Sequence, residues 1–580
     1  MTEIEIQTER VDDIPLLVHQ QQRMGIPEVL DKVVCPHGNR QGISIGWLAA
    51  GWMSYILSEA DHRMSEVESW SAKQKGTLTR LLPGLVGEKD FADDRLADVL
   101  RWLSDDQCWA AIETQLGPRL IRVYDLEHSP IRLDSTAVAV YHDTEGNTLF
   151  RHGHSKDHRP DLAQLKVMLA TLDPMGMPLA TLVVAGNESD DGLYVPVIKR
   201  AYPIVGKGGR LYIGDAKMGA LATRAFVQQG EDYYLTPLAR IGKVPELLLS
   251  MLKAVWAKKQ RVQRIYAPSE NGSSDSEGNP KLLVLGYEIT REQEAQVEGK
   301  TVTWQERVLV VYSSSMARRA RRGLAERLDR AEQALLALTP PPGRGKQQWA
   351  DLEALQKAVQ AILQKHRVEG LLEVHYERKV KRRTIRKYRD RPARTEEQVR
   401  YVVQVRREHR AIHLTRRLMG WRLYVTNAPA EMFSLAEAVW AYRGAPRIER
   451  DFRRLKGHPL GIRPLYVRRQ DHAKGLVRLL SLALRVLTVV EHVVRRQLQV
   501  SGETLSGLYA GNPKRQTARP TTERLLKAFR GITLTVVQLP EQVIRHITPL
   551  SELQRRILTL LGLPVSIYEN LTLPVQPIPP

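Results

Sequence analysis

Cysteine is almost absent from the 580-residue sequence, which contains only Cys35 and Cys108. Two cysteines cannot form a disulfide framework or a cysteine-rich zinc site, so we expect a reducing, cytoplasmic compartment. The N-terminal segment MTEIEIQTER lacks the basic start and the apolar stretch of a signal peptide, so we do not expect export. The pattern is therefore not that of a disulfide-rich secreted protein.

Long uncharged apolar runs are missing as well. The most apolar long window, from Leu476 to Val494, contains Arg478, Arg485 and Glu491. These charges argue against a membrane span, so the window predicts a buried amphipathic helix. Hydrophobic residues nevertheless make up 43% of the chain, which is enough for sizeable cores and excludes a disordered or collagen-like protein. At about 100 to 200 residues per domain, we expect three or four domains.

Basic residues outnumber acidic residues outside the N-terminal region. Lys and Arg total 86 against 65 Asp and Glu, a formal net charge of +21, although residues 1–120 carry 12 basic and 19 acidic side chains. Residues 367–422 contain 18 basic and 7 acidic side chains, and residues 442–500 contain 14 and 4. A solvated surface usually mixes both signs, whereas a phosphate backbone attracts blocks of positive charge by counterion release. Two separate basic blocks favour a long polyanion such as double-stranded DNA over a basic face kept only for solubility.

Changes in residue pattern divide the chain into five predicted regions. Helical spacing of apolar residues, followed by strand-like segments, predicts a helical N-terminal domain and then an α/β core with a mixed sheet. A large α+β insertion interrupts the core, with a helical hairpin at Met316 to Leu338 and Trp349 to Gln364 before its basic strands. The regions are the N-terminal domain (1–120), the first part of the core (125–240), the insertion (241–420), the second part of the core (421–500) and a C-terminal helical region with a Pro-rich tail (501–580).

Three carboxylates stand out by their sequence context. Asp134 lies in a β-rich stretch that begins at Ile131, and Asp215 ends the short apolar run Leu211-Tyr-Ile-Gly214. Glu449 lies in a strongly basic segment that is predicted to be helical. A charge at a strand end is costly unless it binds a cation, and carboxylate oxygens are the ligands that Mg²⁺ prefers. The alternative for each aspartate alone is an ordinary turn or helix cap.

Regular spacing connects Glu449 with other polar side chains. Tyr442, Glu449 and Lys456 follow one another at intervals of seven residues, and Arg453 comes four residues after Glu449. On one continuous helix these side chains would share a face, because seven residues make about two turns. Such a face suits a metal ion and a phosphodiester, and the alternative is a solvated basic helix.

Basic side chains elsewhere are candidates for binding the DNA backbone. The His-rich loop from Arg151 to Pro160 contains Lys156 and Arg159. Its histidines have no partner cysteines, so we interpret the loop as a phosphate contact, or as merely polar, and not as a zinc site. The densest basic run lies in the predicted insertion and predicts a DNA clamp. Its central cations are Lys381, Arg382, Arg383 and Lys387.

At these positions the sequence resembles the DDE transposases of bacterial insertion sequences, specifically the group that contains insertion-sequence families 4 and 1634. The resemblance spans about residues 125 to 495 and rests on motifs that follow one another along the chain. The motifs are Ile131-Arg-Leu-Asp134-Ser-Thr136, Gly153-His-Ser-Lys-Asp-His-Arg-Pro-Asp161, Gly186-Asn-Glu-Ser-Asp190, Tyr212-Ile-Gly-Asp215 and the segment from Tyr442 to Lys456.

The last motif departs from the group at one position. Tyr442, Glu449 and Lys456 fit its signature, whereas Ala445 replaces the arginine expected three residues after the tyrosine. This departure leaves open which nearby arginine contacts the phosphate, or whether catalysis is impaired. The alternatives for the contact are Arg443, Arg447 and Arg453.

The resemblance implies a ribonuclease-H-like catalytic core, split by an insertion that precedes the helix bearing Glu449. It also implies that Asp134, Asp215 and Glu449 are the catalytic residues and bind two Mg²⁺ ions, for which Mn²⁺ can substitute. Enzymes of this kind nick each transposon end and then use the free 3′ hydroxyl to attack target DNA. The implied partners are terminal inverted repeats and target DNA, bound by a homodimer in the nucleoid of a bacterial cytosol.

Two other functions are compatible with the sequence. One is a ribonuclease-H-like DNA nuclease without strand transfer, and the other is a catalytically inactive DNA-binding regulator of transposition. The residue at Ala445 favours the regulator, whereas intact Asp134, Asp215 and Glu449 favour an active enzyme.

Overall fold

The N-terminal region begins with a strand and continues with helices. The computed structural model describes residues 5–36, 41–84, 86–87, 89–267, 282–346, 348–386, 394–444 and 446–573. Ser44 and Asp105 each accept a backbone hydrogen bond that begins a helix, from Trp47 and Cys108 respectively. The elements are β1 (Glu5–Arg10), α1 (Ile14–Met24), α2 (Ile26–Val33), α3 (Ile45–Glu59), α4 (Val67–Lys73), α5 (Lys75–Leu81), α6 (Asp93–Ser104) and α7 (Asp106–Val123).

A mixed sheet follows. Its elements are β2 (Ile131–Val140), β3 (Ala163–Leu172), β4 (Met177–Ala185), α8 (Tyr194–Val205), β5 (Leu211–Ile213), α9 (Leu221–Gln229) and β6 (Tyr233–Pro237). β2, β3 and β4 are antiparallel, whereas β5 and β6 run parallel to β2. The spatial order β4-β3-β2-β5-β6, with helices in the crossovers, is that of a ribonuclease-H-like core. The predicted α/β fold class is therefore confirmed.

The segment after β6 both extends this sheet and forms a separate lobe. Its elements are α10 (Val244–Trp256), β7 (Gln263–Tyr266), β8 (Leu282–Val297), β9 (Lys300–Tyr312), α11 (Ser314–Leu338), α12 (Leu352–His366), β10 (Leu372–Ile385), β11 (Arg394–Arg407), α13 (His409–Leu418) and β12 (Trp421–Thr426). β12 pairs with both β6 and β9, so that β9, β8 and β7 continue the core sheet to nine strands among the described residues. The expectation that the pattern leaves the sheet at about residue 240 is wrong for these strands, because pairing through β12 is a long-range contact that local patterns do not encode.

The lobe has its own core, which the predicted helical hairpin supplies. Leu324, Leu328 and Leu335 of α11 pack with Leu355 and Val359 of α12. β10 and β11 form an antiparallel two-stranded sheet. The N-terminal half of β10 and the C-terminal half of β11 pack on these helices. The predicted helical hairpin is thus confirmed.

The remaining elements return to the core and to the N-terminal region. They are α14 (Leu435–Tyr442), α15 (Pro446–Lys456), α16 (Gln470–Ser501), α17 (Thr522–Lys527), β13 (Thr533–Gln538), β14 (Val543–Ile547), α18 (Glu552–Leu561) and α19 (Ser566–Glu569). α16 is buried through most of its length and packs against α6 on one side and β4 on the other. It is the amphipathic helix predicted at Leu476 to Val494, and no helix among the described residues is long and apolar enough to cross a membrane.

The two ends of the chain meet in one small sheet. β1 pairs antiparallel with β13, which in turn pairs with β14. The C-terminal region is thus not purely helical, because β13 and β14 form a hairpin that β1 extends. The boundaries of the five predicted regions stay a prediction, and most of the Pro-rich tail lies outside the described residues.

Candidate active site

Asp134 and Asp215 extend from neighbouring parallel strands. The register of β2 and β5 pairs Ile131 with Tyr212 and Arg132 with Ile213. Asp134 lies two residues after Arg132 in β2, and Asp215 lies two residues after β5 ends at Ile213, near enough for its charge to raise the pKa of Asp134. Sheet topology therefore brings together two carboxylates that are 81 residues apart in the sequence.

The surroundings of Asp134 disfavour its negative charge. Burial raises the pKa of Asp134 to about 6, and the negative charges of Asp215 and Asp190 contribute in the same direction. Lys156 and the backbone N–H of Ser135 oppose this rise. Accumulated negative charge in an enclosed position is the electrostatic setting in which a divalent cation binds well.

Hydrogen bonds fix one oxygen of Asp215. The hydroxyl of Tyr194 donates to Oδ1 of Asp215 at 2.6 Å, and the backbone N–H of Lys217 donates to the same atom at 2.8 Å. Thr236 of β6 donates to the backbone carbonyl of Asp215 at 2.6 Å. Burial and the charge of Asp215 raise the pKa of Tyr194, so its hydroxyl stays a donor. These bonds hold the carboxylate in one orientation.

The basic loop and the acidic stretch after β4 meet beside Asp134. Lys156 donates through Nζ to the carbonyl and the hydroxyl of Ser135, at 2.7 and 2.9 Å. Its Nζ also lies 3.4 Å from Asp190, which binds Lys166 at 2.8 Å. Three motifs from the sequence, at Asp134, Lys156 and Asp190, thus belong to one cluster.

Glu449 lies on an exposed position of α15, which packs against β2. Tyr442 and Lys456 do not lie on one continuous helix, because α14 ends at Tyr442 and a new helix, α15, begins at Pro446. Arg132 donates to the carbonyl of Ala441 at 2.7 Å and so binds the end of α14, and proline favours the first turn of a new helix. Among the described residues, no group of three or more His, Cys, Asp or Glu side chains is arranged to hold a metal.

Tyr442 remains near enough to Asp215 to feel its charge despite the break in the helix. Burial raises the pKa of its hydroxyl, and the charge of Asp215 contributes to the rise. Its ring packs edge-on against Tyr424, with 4.7 Å between ring centroids. A cavity of about 230 Å³ adjoins both rings and is also lined by Arg422 and Arg443.

The other predicted DNA-binding residues occupy different surroundings. Lys456 contacts Asp157 of the basic loop at 3.3 Å, and Arg447 lies 3.5 Å from Asp173. Arg453 is exposed on α15. Arg159 is exposed and paired with its neighbour Asp161. Two of the positions singled out from the sequence, Lys387 and Ala445, lie outside the described residues.

A buried carboxylate on α16 anchors α15. Glu491 accepts hydrogen bonds from Arg450 at 2.6 Å and from Arg454, both on α15, and forms an ion pair with Arg495 at 2.7 Å. Arg454 also binds Glu523 at 2.7 Å. The helix that carries Glu449 is therefore held against α16 by charged contacts.

The basic run of the insertion forms a projecting pair of strands, β10 and β11, which we call the basic ribbon. Lys381, Arg382 and Arg383 are exposed on β10. Arg382 pairs with Glu397 across the ribbon at 2.7 Å, so part of the run is neutralised locally. Lys381 lies opposite Gln398. A two-stranded antiparallel ribbon has dimensions that fit the major groove of DNA.

Several residues of the site were not identified from the sequence. Tyr194 and Thr236 bind Asp215 through tertiary contacts that have no local signal, whereas Ser135 lies in the first motif on which the family resemblance rests. Asp190 does have a signal, because it ends one of the motifs on which the family resemblance rests. Glu491 also has one, because a carboxylate within an apolar helical window needs a partner.

Comparison with known proteins identifies the family. The model of the family described as the transposase DDE domain matches residues 125–486. The chain belongs to this family and is a DDE transposase, a class of proteins that act in DNA transposition. Its placement in the group of insertion-sequence families 4 and 1634 stays a prediction.

No curated protein matches the chain. A solved structure with some similarity is the cryo-EM structure of a piggyBac transposase synaptic complex with hairpin DNA. Its TM-score is 0.33 at 7% sequence identity, over 90% of this chain and 81% of that chain.

Proposed function

We propose that this transposase cleaves the ends of an insertion sequence and joins the 3′ ends to target DNA, by metal-dependent hydrolysis and transesterification in a cut-and-paste pathway. The observation that supports the proposal is the pairing of parallel strands β2 and β5, with Asp134 in β2 and Asp215 just after β5, near enough for the charge of Asp215 to raise the pKa of Asp134. Crevices at the carboxyl ends of parallel strands are where α/β sheets bind ligands. The DDE family then supplies the class of reaction.

The two aspartates fit a divalent metal. Asp134 and Asp215 offer hard oxygen ligands in an enclosed position where their mutual repulsion calls for a cation. We propose that Asp134, Asp215 and Glu449 hold two Mg²⁺ ions, or Mn²⁺ in their place, with Glu449 contributed from α15. Bound metal would polarise the scissile phosphate and lower the pKa of attacking water.

The surrounding side chains have separate tasks in this proposal. Tyr194 keeps Asp215 oriented through its hydrogen bond to Oδ1. Lys156 favours the ionised form of Asp134. The DNA backbone is contacted by cations and hydroxyls on the loop and on the two helices. These residues are Lys156, Arg159, Tyr442, Arg447, Arg453 and Lys456.

The partner in this proposal is double-stranded DNA, both terminal inverted repeats and target, held by a homodimer in the DNA complex. The basic ribbon contributes affinity through phosphate contacts, and therefore little sequence specificity. Lys381, Arg382, Arg383 and Lys387 are its proposed contacts.

The function is tested with purified protein, a duplex that contains the inverted repeats flanking the gene, a supercoiled target plasmid and Mg²⁺. We expect nicked repeat ends, followed by covalent joining of their 3′ ends to the plasmid. Cleavage without joined product would instead indicate the nuclease, and binding without cleavage would indicate the inactive regulator.

Removal of the ribbon cations should weaken DNA binding and its salt dependence. With Lys381, Arg382 and Arg383 changed to Ala, we expect the slope of log affinity against log salt to flatten by up to about 2.7, because each phosphate contact contributes about 0.9. The pairing of Arg382 with Glu397 places the true value below that limit. A salt titration of duplex binding measures the slope.

A matched control removes the same charge from the acidic N-terminal region. Lys73, Lys75 and Arg101 are exposed there, and their replacement by Ala should leave the slope unchanged. Equal slopes in the two triple variants would mean that the ribbon does not contact DNA.

A further inference from the structure

Asp157 of the basic loop lies between two cations from another part of the chain. Its carboxylate is 2.8 Å from Nη1 of Arg463 and 3.3 Å from Nζ of Lys456. Lys456 ends α15, and Arg463 follows it in the connection to α16. The contact is partly buried, with side-chain exposures of 13% for Lys456, 24% for Asp157 and 35% for Arg463.

The cations of this cluster are crowded. Burial lowers the pKa of Lys456, and the positive charges of Arg463 and Lys156 lower it further, whereas Asp157 opposes them. Lys156 is meanwhile engaged by Ser135 and Asp190. Among the residues that the structure describes, Asp157 is the carboxylate that pairs with both Lys456 and Arg463. It is supplied by a loop whose neighbouring residue, Lys156, reaches the cluster around Asp134.

We propose that Lys456 and Arg463 form a binding site for a backbone phosphate, which Asp157 occupies in the DNA-free protein and gives up when DNA binds. The proposal rests on the proposed function, because it takes DNA as the ligand. It assigns Arg463 as a DNA-binding residue and Asp157 as an internal competitor.

The chemistry of the contact supports an exchange. A carboxylate and a phosphodiester both present two oxygens to cationic donors, and Arg binds either group in the same planar manner. A partly exposed ion pair is worth little, so a phosphate can replace Asp157 at small cost. The alternative is that Asp157 is a permanent brace that holds the loop against the end of α15.

The two possibilities predict opposite effects of Asp157→Asn. If Asp157 competes with phosphate, the variant should bind a duplex of arbitrary sequence about two- to fivefold more tightly, since the lost competitor is a partly exposed ion pair. If Asp157 is a brace, the variant should bind less tightly. Asp157→Ala gives a second measurement, and thermal unfolding of both variants reports whether they remain folded.

A control separates this effect from a general gain of positive charge. Asp125→Asn makes the same charge change at an exposed carboxylate paired with Arg496 at 2.9 Å. It should tighten binding less than Asp157→Asn does. Arg463→Gln should weaken binding and lower the salt slope by about 0.9.

The decisive measurement tests Asp157→Asn in a variant that lacks both cations. In a Lys456→Ala, Arg463→Gln background, the gain from Asp157→Asn should disappear, because the cations that it unmasks are gone. A gain that persists in this background, or one no larger than that of Asp125→Asn, would overturn the inference.

Binding is measured in EDTA, so that the result does not depend on cleavage. Failure of the proposed function would show as absent Mg²⁺-dependent cleavage or joining, with the binding differences intact. Wild-type protein that binds no duplex at all would overturn both proposals.

Discussion

The Asp215→Asn protein is expected to bind DNA normally but to nick it at least about 10³-fold more slowly, because loss of a metal ligand removes several kcal/mol of transition-state stabilisation. Asparagine keeps an oxygen that can accept the hydrogen bonds from Tyr194 and from the backbone of Lys217, so the local geometry should survive. We expect the same result for Asp134→Asn and Glu449→Gln. Single-turnover nicking of a labelled repeat duplex, beside a binding titration, measures both properties.

A matched substitution gives the control for this experiment. Asp143 lies in the exposed loop that follows β2 and caps only the backbone of Glu145. Asp143→Asn should nick at the wild-type rate. Normal Mg²⁺-dependent nicking by Asp134→Asn or Asp215→Asn would remove the assigned residue from the catalytic set.

Among the substitutions proposed for this protein, replacement of Glu491 should lower the free energy of unfolding the most. Glu491→Gln would leave Arg450, Arg454 and Arg495 without the buried carboxylate that they share, and breaking a buried ion pair costs about 3 to 5 kcal/mol. Because Arg450 and Arg454 belong to α15, we also expect slower nicking through displacement of Glu449. Urea unfolding monitored by circular dichroism measures the free energy.

Glu503 provides the comparison for Glu491. It pairs with Arg556 at the surface, so Glu503→Gln should lower the free energy of unfolding by less than about 1 kcal/mol. Equal stability of the two variants would show that the arginines around Glu491 gain compensation from solvent or from Glu523.

Local sequence patterns predicted the strands and helices of the core well. The apolar run that precedes Asp215 is such a short-range signal. Local patterns alone could not predict that Asp134 and Asp215 lie near each other, because their proximity depends on the pairing of β2 with β5. The family resemblance supplied that pairing, and the structure explains it.

The break between α14 and α15 shows where periodicity fails. A spacing of seven residues from Tyr442 to Glu449 fits a continuous helix, but the backbone turns at Gly444. A Cβ at this position would collide with the guanidinium of Arg132, a residue more than 300 positions earlier. Arg132 is itself paired with buried Asp173. No local pattern reports such a contact, and the same limitation hid the role of Asp157.

The pairing of β1 with β13 has a consequence for synthesis on the ribosome. Glu5 faces Gln538, so the partner of β1 lies more than 500 residues further along the chain. At about 5 to 20 residues per second, β1 waits roughly half a minute to two minutes before β13 is available. A chain terminated before Thr533 would leave β1 without this neighbour. The small sheet that contains β1 is therefore completed only after β13 has been synthesised.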